Sequence, residues 1–395
     1  MTRATASKAW CFMFPVYMLY VSSAVGNGGH GSMVSPSSSA PDSDIMEMLQ
    51  DMESTLDIDA QVQVRYNSRS SDEPTVGSES GFENRRAKLK FNGTVGESWG
   101  WEITAAYNRD EGDGDRGGEV EDAYIGYMFD SGMELIAGQF KAPLLREERI
   151  SSSRQLAAER SLINSYFTTG RVSGMELSRS YHRLRWAFSF NDGAESANTG
   201  YDLDKVDMGV TSRVEFLLGD SALGSTPADS ASTDWSDFKG FTSAPGSSAG
   251  MMVGAAAHYQ NGNGDVVDDL VTMTIDASMR ADGGHAFIAF MMMEDGADKE
   301  STGLIGQVGF YISPELEGFL RYEMGQIRGS TADDLSIITA GINKYFPEKK
   351  AKFTLDCGLG IEPVTAQWSQ SGGAWASDIT SDGQTVLRAQ WQLLF

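Results

Sequence analysis

Apolar and polar residues alternate with a period of two through most of the chain. In the last segment, GQTVLRAQWQLLF, Leu387, Trp391 and Phe395 share one face, while Arg388 and two glutamines lie on the other. Such alternation predicts β-strands, because successive side chains of a strand point to opposite faces. About sixteen segments of about ten residues, the length of a tilted membrane strand, show it. They begin near residues 58, 82, 99, 121, 133, 171, 183, 205, 250, 266, 284, 301, 316, 335, 351 and 383.

The connections between these segments alternate between short and long. Short ones, such as VGES, DSG, SYH, ADG and SPE, take turns with longer polar ones at 67–81, 110–118, 141–170, 192–204 and 362–382. Short turns on one rim and long loops on the other are typical of a transmembrane antiparallel β-barrel. A soluble sandwich gives no reason for this alternation. We therefore predict an all-β barrel over 57–395, wide enough for an aqueous channel, with one long periplasmic connection at 219–248.

The N-terminus has the pattern of a secretory signal. Arg3 and Lys8 precede the apolar run AWCFMFPVYMLYV, and small residues follow near Ala24. This pattern predicts a signal peptide over 1–24, with a retained membrane anchor as the alternative. Residues 25–56 are predicted to be a flexible linker and a short amphipathic N-terminal helix at 45–52. That helix fits either a periplasmic plug or a self-association element.

Composition excludes several classes of function. The formal charge of −24 argues against a nucleic-acid partner, because a phosphate backbone requires a basic surface. Beyond the N-terminus, no segment approaches the roughly 20 apolar residues of a transmembrane helix. If the signal peptide is removed, Cys357 is the only remaining cysteine, and the mature chain then has no internal disulfide.

No motif predicts an enzyme, a cofactor or a metal site. The acidic stretch RDEGDGDRGGEVED has oxygen ligands that could hold Ca²⁺, but it lacks the order of an EF-hand loop, so a solvated extracellular loop is preferred. The four histidines have no ligand spacing. No nucleophile elbow accompanies any serine. We expect no catalytic residue, no metal ligand and no cofactor.

Several stretches carry a family resemblance. The sequences GFENRRAKLKFNGTV, EDAYIGY, AGQFKAPLLREERISSSRQLAAERSLIN and TTGRVSG, followed by DFKGFT and GAAAHYQNGNG, resemble the phosphate-selective porin O and P family. The resemblance implies a trimeric, sixteen-stranded outer-membrane porin whose third loop folds into the pore. It also implies passive diffusion of small solutes, with anions such as phosphate selected by arginines and lysines along the channel.

The third loop, Lys141 to Arg171, is rich in basic residues within an acidic chain. Guanidinium groups bind phosphate-like anions through paired donors and stay charged at working pH. Rings of such groups are the usual device of anion pores. The predicted anion-binding residues of the constriction are Lys141, Arg146, Arg149, Arg154, Arg160 and Arg171. The predicted pore-lining residues on the inward strand faces are Arg86, Lys88, Lys90, Arg183, Arg185 and Arg388.

Two alternatives to an anion pathway stay open. The loop arginines could brace the loop through ion pairs with Glu147, Glu148 and Glu159, and acidic strand positions such as Glu102 or Glu317 could offset the basic ones. An occluded barrel with a structural or adhesive role would then replace the porin. In either case the expected partners are outer-membrane lipid and the barrel-assembly machinery, which would recognise the strand ending at Phe395. The resemblance adds a homotrimer and small anions.

Overall fold

The computed structural model describes most of the chain after residue 53. The described residues are 54–71, 77–108, 118–200, 206–219, 234–262, 269–296, 299–328, 334–346, 350–368, 373–376 and 382–395. The predicted signal peptide, linker and N-terminal helix therefore lie outside the described residues, as does most of the acidic stretch at 109–122. No helix in the described ranges is long and apolar enough to cross a bilayer.

The described residues form sixteen strands that close into one antiparallel barrel. Each strand pairs with its neighbours in sequence, and β1 closes the barrel on β16 through pairs such as Val64 with Trp391. The prediction of an all-β barrel is confirmed. The largest difference between a predicted and an observed strand start is at β10, which was expected near 266 and begins at Leu270. The strands are β1 Asp57–Ser70, β2 Glu79–Val95, β3 Trp99–Asn108, β4 Gly118–Met128, β5 Met133–Lys141, β6 Arg171–Tyr181, β7 Leu184–Asn191, β8 Val206–Gly219, β9 Gly250–Gly262, β10 Leu270–Ala281, β11 Gly284–Asp295, β12 Lys299–Ser313, β13 Leu316–Arg328, β14 Leu335–Tyr345, β15 Ala351–Gly360 and β16 Thr385–Leu394.

The two faces of the strands differ as the alternation predicts. In β16 the outward Trp391 is 55% exposed, whereas the inward Arg388 and Gln390 are buried. Phe395 is 66% exposed and continues the apolar outer face. A closed barrel pairs its backbone groups between strands, so its outer face is able to contact lipid. The aromatic end of the chain is thus part of the outer apolar surface.

The third loop lies inside the barrel and shares an apolar core with the wall. It contains helix α1 at Arg146–Arg149, a 3₁₀ turn at Ser152–Arg154 and helix α2 at Leu162–Phe167. Ser161 caps α2, because its hydroxyl accepts a hydrogen bond from the Asn164 N–H at 2.9 Å. Buried apolar side chains of the loop pack on inward residues of the wall, which are Ala256, Phe287, Ala289, Met291, Ile305, Phe319, Ile327, Leu335, Ile337 and Val386. Burial of this apolar area holds the loop against one side of the lumen.

The connection between β8 and β9 also enters the lumen. Its residues 220–233 are outside the described part, and a 3₁₀ turn follows at Trp235–Phe238. Phe238 packs with Leu217 and Met252, and Phe241 is fully buried in the same apolar cluster as the third loop. The described half of this connection is therefore inside the barrel, because its two phenylalanines bury apolar surface there. The predicted periplasmic position does not hold for these residues.

Candidate functional site

A cavity lies between the third loop and the wall formed by β1 to β6. Its volume is about 630 Å³, and it reaches the rim that carries the short turns, where Lys350 and Phe395 line it. Its basic lining residues are Lys88, Lys90, Lys141, Arg149, Arg154, Arg171 and Lys350. Its acidic lining residues are Asp59, Glu102, Glu121 and Asp122. The side chains around this space therefore carry more positive than negative charge.

Three of these basic side chains have no ion pair within 4 Å in the described part of the chain. They are Arg149 and Arg154 of the third loop and Lys350 beside β15. Arg154 and Lys350 are exposed, and Arg149 is half-buried. A charge without a close counter-ion attracts an anion more strongly than a paired one. Among the three, Arg149 is also influenced by the carboxylates of Glu176 and Glu215.

The other basic lining residues form ion pairs with carboxylates of the third loop or of the barrel wall. Lys141 Nζ lies 3.1 Å from Glu148 Oε1, and Arg171 Nη2 lies 2.8 Å from Glu121 Oε2 and 3.1 Å from Asp122 Oδ2. Lys88 Nζ also donates to Glu121, with 2.6 Å to Oε2. These pairs offset much of the charge of the predicted ligands Lys141 and Arg171.

Two predicted constriction arginines brace the loop. Arg160 donates to the carbonyl oxygens of Glu147, Glu148 and Ile150, and its Nε lies 3.3 Å from Glu148 Oε2. Arg146 donates to the carbonyl oxygen of Phe238. Burial lowers the pKa of Arg146 to about 10, so the group stays charged at neutral pH. These side chains hold backbone in place. The partners differ from those of the bracing alternative, because Arg160 pairs with Glu148 and Arg146 binds a backbone carbonyl.

Glu159 is the centre of the strongest charge cluster of the loop. It accepts hydrogen bonds from Arg65 Nη2 at 2.8 Å, Arg85 Nε at 2.8 Å and Arg86 Nη2 at 2.5 Å. Burial by itself raises the pKa of Glu159, but Arg85, Arg86 and Arg65 outweigh it and hold the pKa well below its usual range. A carboxylate that three guanidinium groups surround is a fixed anchor between the loop and β1–β2.

A β-bulge explains how two consecutive arginines reach the same carboxylate. The register of β1 and β2 shifts so that Gln63 pairs with Arg86 and Val64 pairs with Asn84. Arg85 is the extra residue, and both Arg85 and Arg86 are buried. A bulge bends the strand and redirects side chains, which a strict period of two does not predict.

Burial and nearby cations also act on the two other loop carboxylates. Burial by itself raises the pKa of Glu148, but Arg160 and Lys141 reverse this and lower the pKa below its usual range. Burial raises the pKa of Glu147, and Arg321 compensates only in part. Glu147 also accepts hydrogen bonds from Ser161, at 2.5 Å from its hydroxyl. Both carboxylates therefore stabilise the loop from within.

The six predicted pore-lining residues occupy different environments. Arg86 and Lys88 lie on the inward face of β2, and Lys90 pairs with Glu102 at 2.7 Å. Arg388 is buried and lies 2.6 Å from Asp356 Oδ1, and Arg185 lies 3.4 Å from Glu215 Oε2. The placement of Arg183 on an inward strand face is wrong. It lies in the exposed turn between β6 and β7, because β7 begins one residue later, at Leu184.

The structure brings further arginines to the lumen that were not among the predicted site residues. Arg65, Arg213 and Arg321 are inward and nearly fully buried, and each has a carboxylate partner. The alternation of β1, β8 and β13 placed them on inward faces, but it does not show which carboxylate they meet. The acidic strand positions are similarly engaged: Glu323 pairs with Arg321 at 2.9 Å, and Glu317 accepts from Tyr345 at 2.6 Å.

The described residues contain no cluster of histidine, cysteine or carboxylate side chains that could hold a metal ion. Most of the acidic stretch at 109–122, the one candidate for Ca²⁺, lies outside the described ranges.

Comparison of the sequence with protein-family models identifies a family. The model of the phosphate-selective porin O and P family matches residues 56–312, which is more than half of the chain. A search of curated proteins finds no match to the sequence.

Comparison with solved structures finds similar folds at low sequence identity. An anion-selective porin from Comamonas acidovorans has a TM-score of 0.57 and 13% identity, covering 87% of this chain and 100% of that chain. OmpF of Salmonella typhi in complex with daunomycin has a TM-score of 0.57 and 13% identity, covering 86% and 97%. A trimer form of OmpT of Vibrio cholerae has a TM-score of 0.54 and 9% identity, covering 87% and 99%. At these identities the similarity establishes the fold.

Proposed function

The chain belongs to the phosphate-selective porin O and P family and is an outer-membrane porin, and we propose that it conducts small anions, phosphate among them, by passive diffusion. The observation that carries the proposal is the cavity beside the third loop, which Arg149, Arg154 and Lys350 line with no ion pair within 4 Å among the described residues.

The mechanism requires attraction that is strong enough to admit an anion and weak enough to release it. Fully buried cations such as Arg65 are held by carboxylates and provide no free charge. The exposed Arg154 and the half-buried Arg149 remain hydrated, so an anion exchanges part of its water for guanidinium donors and leaves again. The hydroxyl groups of Ser151 and Ser153 line the same cavity and lie 3.0 Å apart, so the one that does not donate to the other adds a hydrogen-bond donor.

Phosphate is a suitable anion for this surface. Its several oxygens can bind two guanidinium groups at once, whereas chloride offers one spherical charge. The support for this finer statement is the presence of Arg149 and Arg154 in one cavity, together with the family to which the chain belongs.

Reversal potentials in a planar bilayer test the proposal. In a gradient of KCl the wild-type channel is expected to prefer chloride, and added phosphate is expected to reduce the chloride current. The variants Arg149→Gln and Arg154→Gln, singly and together, should lower the chloride preference. The expected change is about two- to fivefold, since one unit charge at about 4 Å in water contributes about 1 kcal/mol.

Arg328→Gln is the matched control for these variants. Arg328 also carries a positive charge, but its side chain is 74% exposed at the long-loop end of β13 and pairs with Glu300. The Arg328→Gln variant should leave the reversal potential unchanged. A cation-preferring wild-type channel would overturn the anion proposal while leaving the porin intact.

The assembly of the protein follows from the same proposal. We propose that the signal peptide over 1–24 is removed, that the machinery of barrel assembly recognises the strand ending at Phe395, and that the barrels associate as a homotrimer in outer-membrane lipid. The support for the trimer is the family and the trimeric OmpT form among the similar folds. Mass measurement of the unheated protein in detergent should give three times the mass of the heated chain.

The apolar core of the lumen favours a second candidate function. The third loop packs against the inward side of β11 to β14, and Trp368 and Trp375 from the connection before β16 join this core. This filling supports an occluded barrel with a structural or adhesive role. Absence of conductance steps from folded protein in the bilayer would favour it over the channel.

A further inference from the structure

The connection between β8 and β9 reaches the third loop from the opposite rim of the barrel. We propose that its described residues 234–249, here called the lumen latch, position Arg154 and so determine the ion preference of the channel. This inference rests on the proposed function, because it assigns a role to a second segment at the same cavity.

The lumen latch is fastened to the barrel wall at several points. Trp235 Nε1 donates to the carbonyl oxygen of His182 at 3.0 Å, and Asp237 pairs with Arg280 at 2.7 Å. Thr242 Oγ1 donates to Glu317 Oε1 at 2.8 Å, and Ser243 Oγ donates to the carbonyl oxygen of Ala281 at 2.6 Å. These contacts lie on β6–β7, β10 and β13, so the segment is held across a wide part of the wall.

The other side of the lumen latch holds the third loop. The Phe241 N–H donates to the carbonyl oxygen of Arg154 at 3.2 Å, and Arg146 donates to the carbonyl oxygen of Phe238. A Cβ atom at Gly240 would lie 3.2 Å from the Cβ atom of Arg154, closer than most real Cβ contacts. The backbone of Gly240 therefore lies directly against Arg154, and even a Cβ atom there would require Arg154 to shift by a few tenths of an ångström.

Phe241 connects these two sets of contacts. It is fully buried, and its ring lies 4.7 Å from Phe287 of β11 and 5.5 Å from His285, measured between ring centroids. It belongs to the apolar cluster that includes Leu156, two residues after Arg154. Arg154 has no ion pair of its own in the described chain. Its backbone contact with the lumen latch, together with the hydrogen bonds of Gln392 to Ser153 and of Lys352 to Gln155, holds it at the cavity.

A double-mutant cycle between Phe241→Ala and Arg154→Gln tests the inference. Additivity is expected when two residues act independently, and its failure measures their coupling. If the lumen latch positions Arg154, Phe241→Ala alone lowers the chloride preference. Arg154→Gln then causes a much smaller further shift of the reversal potential in the Phe241→Ala background than in the wild type. Equal shifts in both backgrounds would overturn the inference.

Further variants separate this result from other causes. Phe216→Ala removes a phenylalanine that is 43% exposed on the outer face of β8, and it should change neither the potential nor the coupling. Gly240→Val keeps the apolar cluster intact and displaces Arg154 directly. This variant replaces Phe241→Ala in the cycle if Phe241→Ala does not fold. In the Gly240→Val background, Arg154→Gln should likewise cause a much smaller shift of the reversal potential than in the wild type. If Arg154→Gln has no effect in any background, the proposed function fails at this residue, independently of the latch.

Discussion

Glu159 shows how a single residue fixes a loop inside a wide barrel. Arg65, Arg85 and Arg86 come from β1 and β2, and all three contact this one buried carboxylate. Removing one partner of a buried ion pair leaves the other charge uncompensated in a poorly solvated place, which costs more than the pair itself contributes.

We expect Glu159→Gln to destabilise the protein by about 3–5 kcal/mol, because three guanidinium groups would lose their shared counter-charge. Heat or urea unfolding in detergent measures this loss. Glu300→Gln is the control, since Glu300 is an exposed carboxylate with one arginine partner and should change stability by at most about 1 kcal/mol. Equal effects of the two variants would contradict the role of Glu159 as an anchor.

The lowered pKa of Glu159 predicts a particular pH dependence. A carboxyl group with a folded pKa below its unfolded value of about 4.3 stabilises the fold above that pH, and the stabilisation is lost as the pH falls through the folded pKa. Glu148 has the same sign. The third loop should therefore stay resistant to proteolysis at pH 5 and lose resistance only in strong acid. Loss of resistance already at pH 5–6 would contradict the assignment.

At the scale of elements, the third loop depends on glycines in the wall that it covers. A Cβ atom at Gly303 of β12 would lie 2.6 Å from Cε2 of Phe167 and 2.8 Å from Cγ2 of Ile163, both in α2. Gly325 of β13 is similarly close to Ile163. The helix fits against the wall because these positions have no side chain.

We expect Gly303→Val to force α2 away from the wall, at a cost of about 1–3 kcal/mol for an overfilled core. The displaced loop should become sensitive to protease while the barrel remains folded. Gly306→Val on the same strand is the matched control, because nothing lies within 4 Å of a Cβ atom there. The measurement is limited proteolysis together with heat-dependent migration on gels. A loop that stays resistant in Gly303→Val would show that this close packing is not required.

At the scale of the whole molecule, net charge and local charge have opposite signs. The chain carries −24, whereas basic side chains exceed acidic ones around the cavity. The Debye length is about 8 Å at physiological salt, so charges close to a permeating ion act more strongly than charges on distant loops. Local charge should therefore determine the ion preference.

Salt concentration tests this expectation. Because the Debye length falls from about 10 Å at 0.1 M to about 3 Å at 1 M, the chloride preference should decrease as KCl is raised between these limits. The comparison is made from reversal potentials at a constant concentration ratio. A cation preference that grows stronger at low salt would show instead that the acidic surface controls entry.

The sequence by itself determined the sixteen strands, their order and the direction of most side chains, from Ile58 on the outer face of β1 to Arg388 on the inner face of β16. The physical reason is that the alternation is local: each residue's neighbours in the strand decide which face it occupies. The bulge at Arg85 and the turn position of Arg183 depart from this alternation, because pairing partners set the register between strands and the end of a strand.

Only the tertiary structure decided which charges are free. Arg65 and Glu159 are 94 residues apart, and Lys352 donates to the carbonyl oxygen of Gln155 across 197 residues. Such partners meet because the barrel closes and the third loop folds into it, which no local pattern encodes. The same closure brings Phe241 from the opposite rim to Arg154. Basic residues along the third loop were therefore recognisable from sequence, whereas their division into braces and unpaired cations depends on contacts between distant segments.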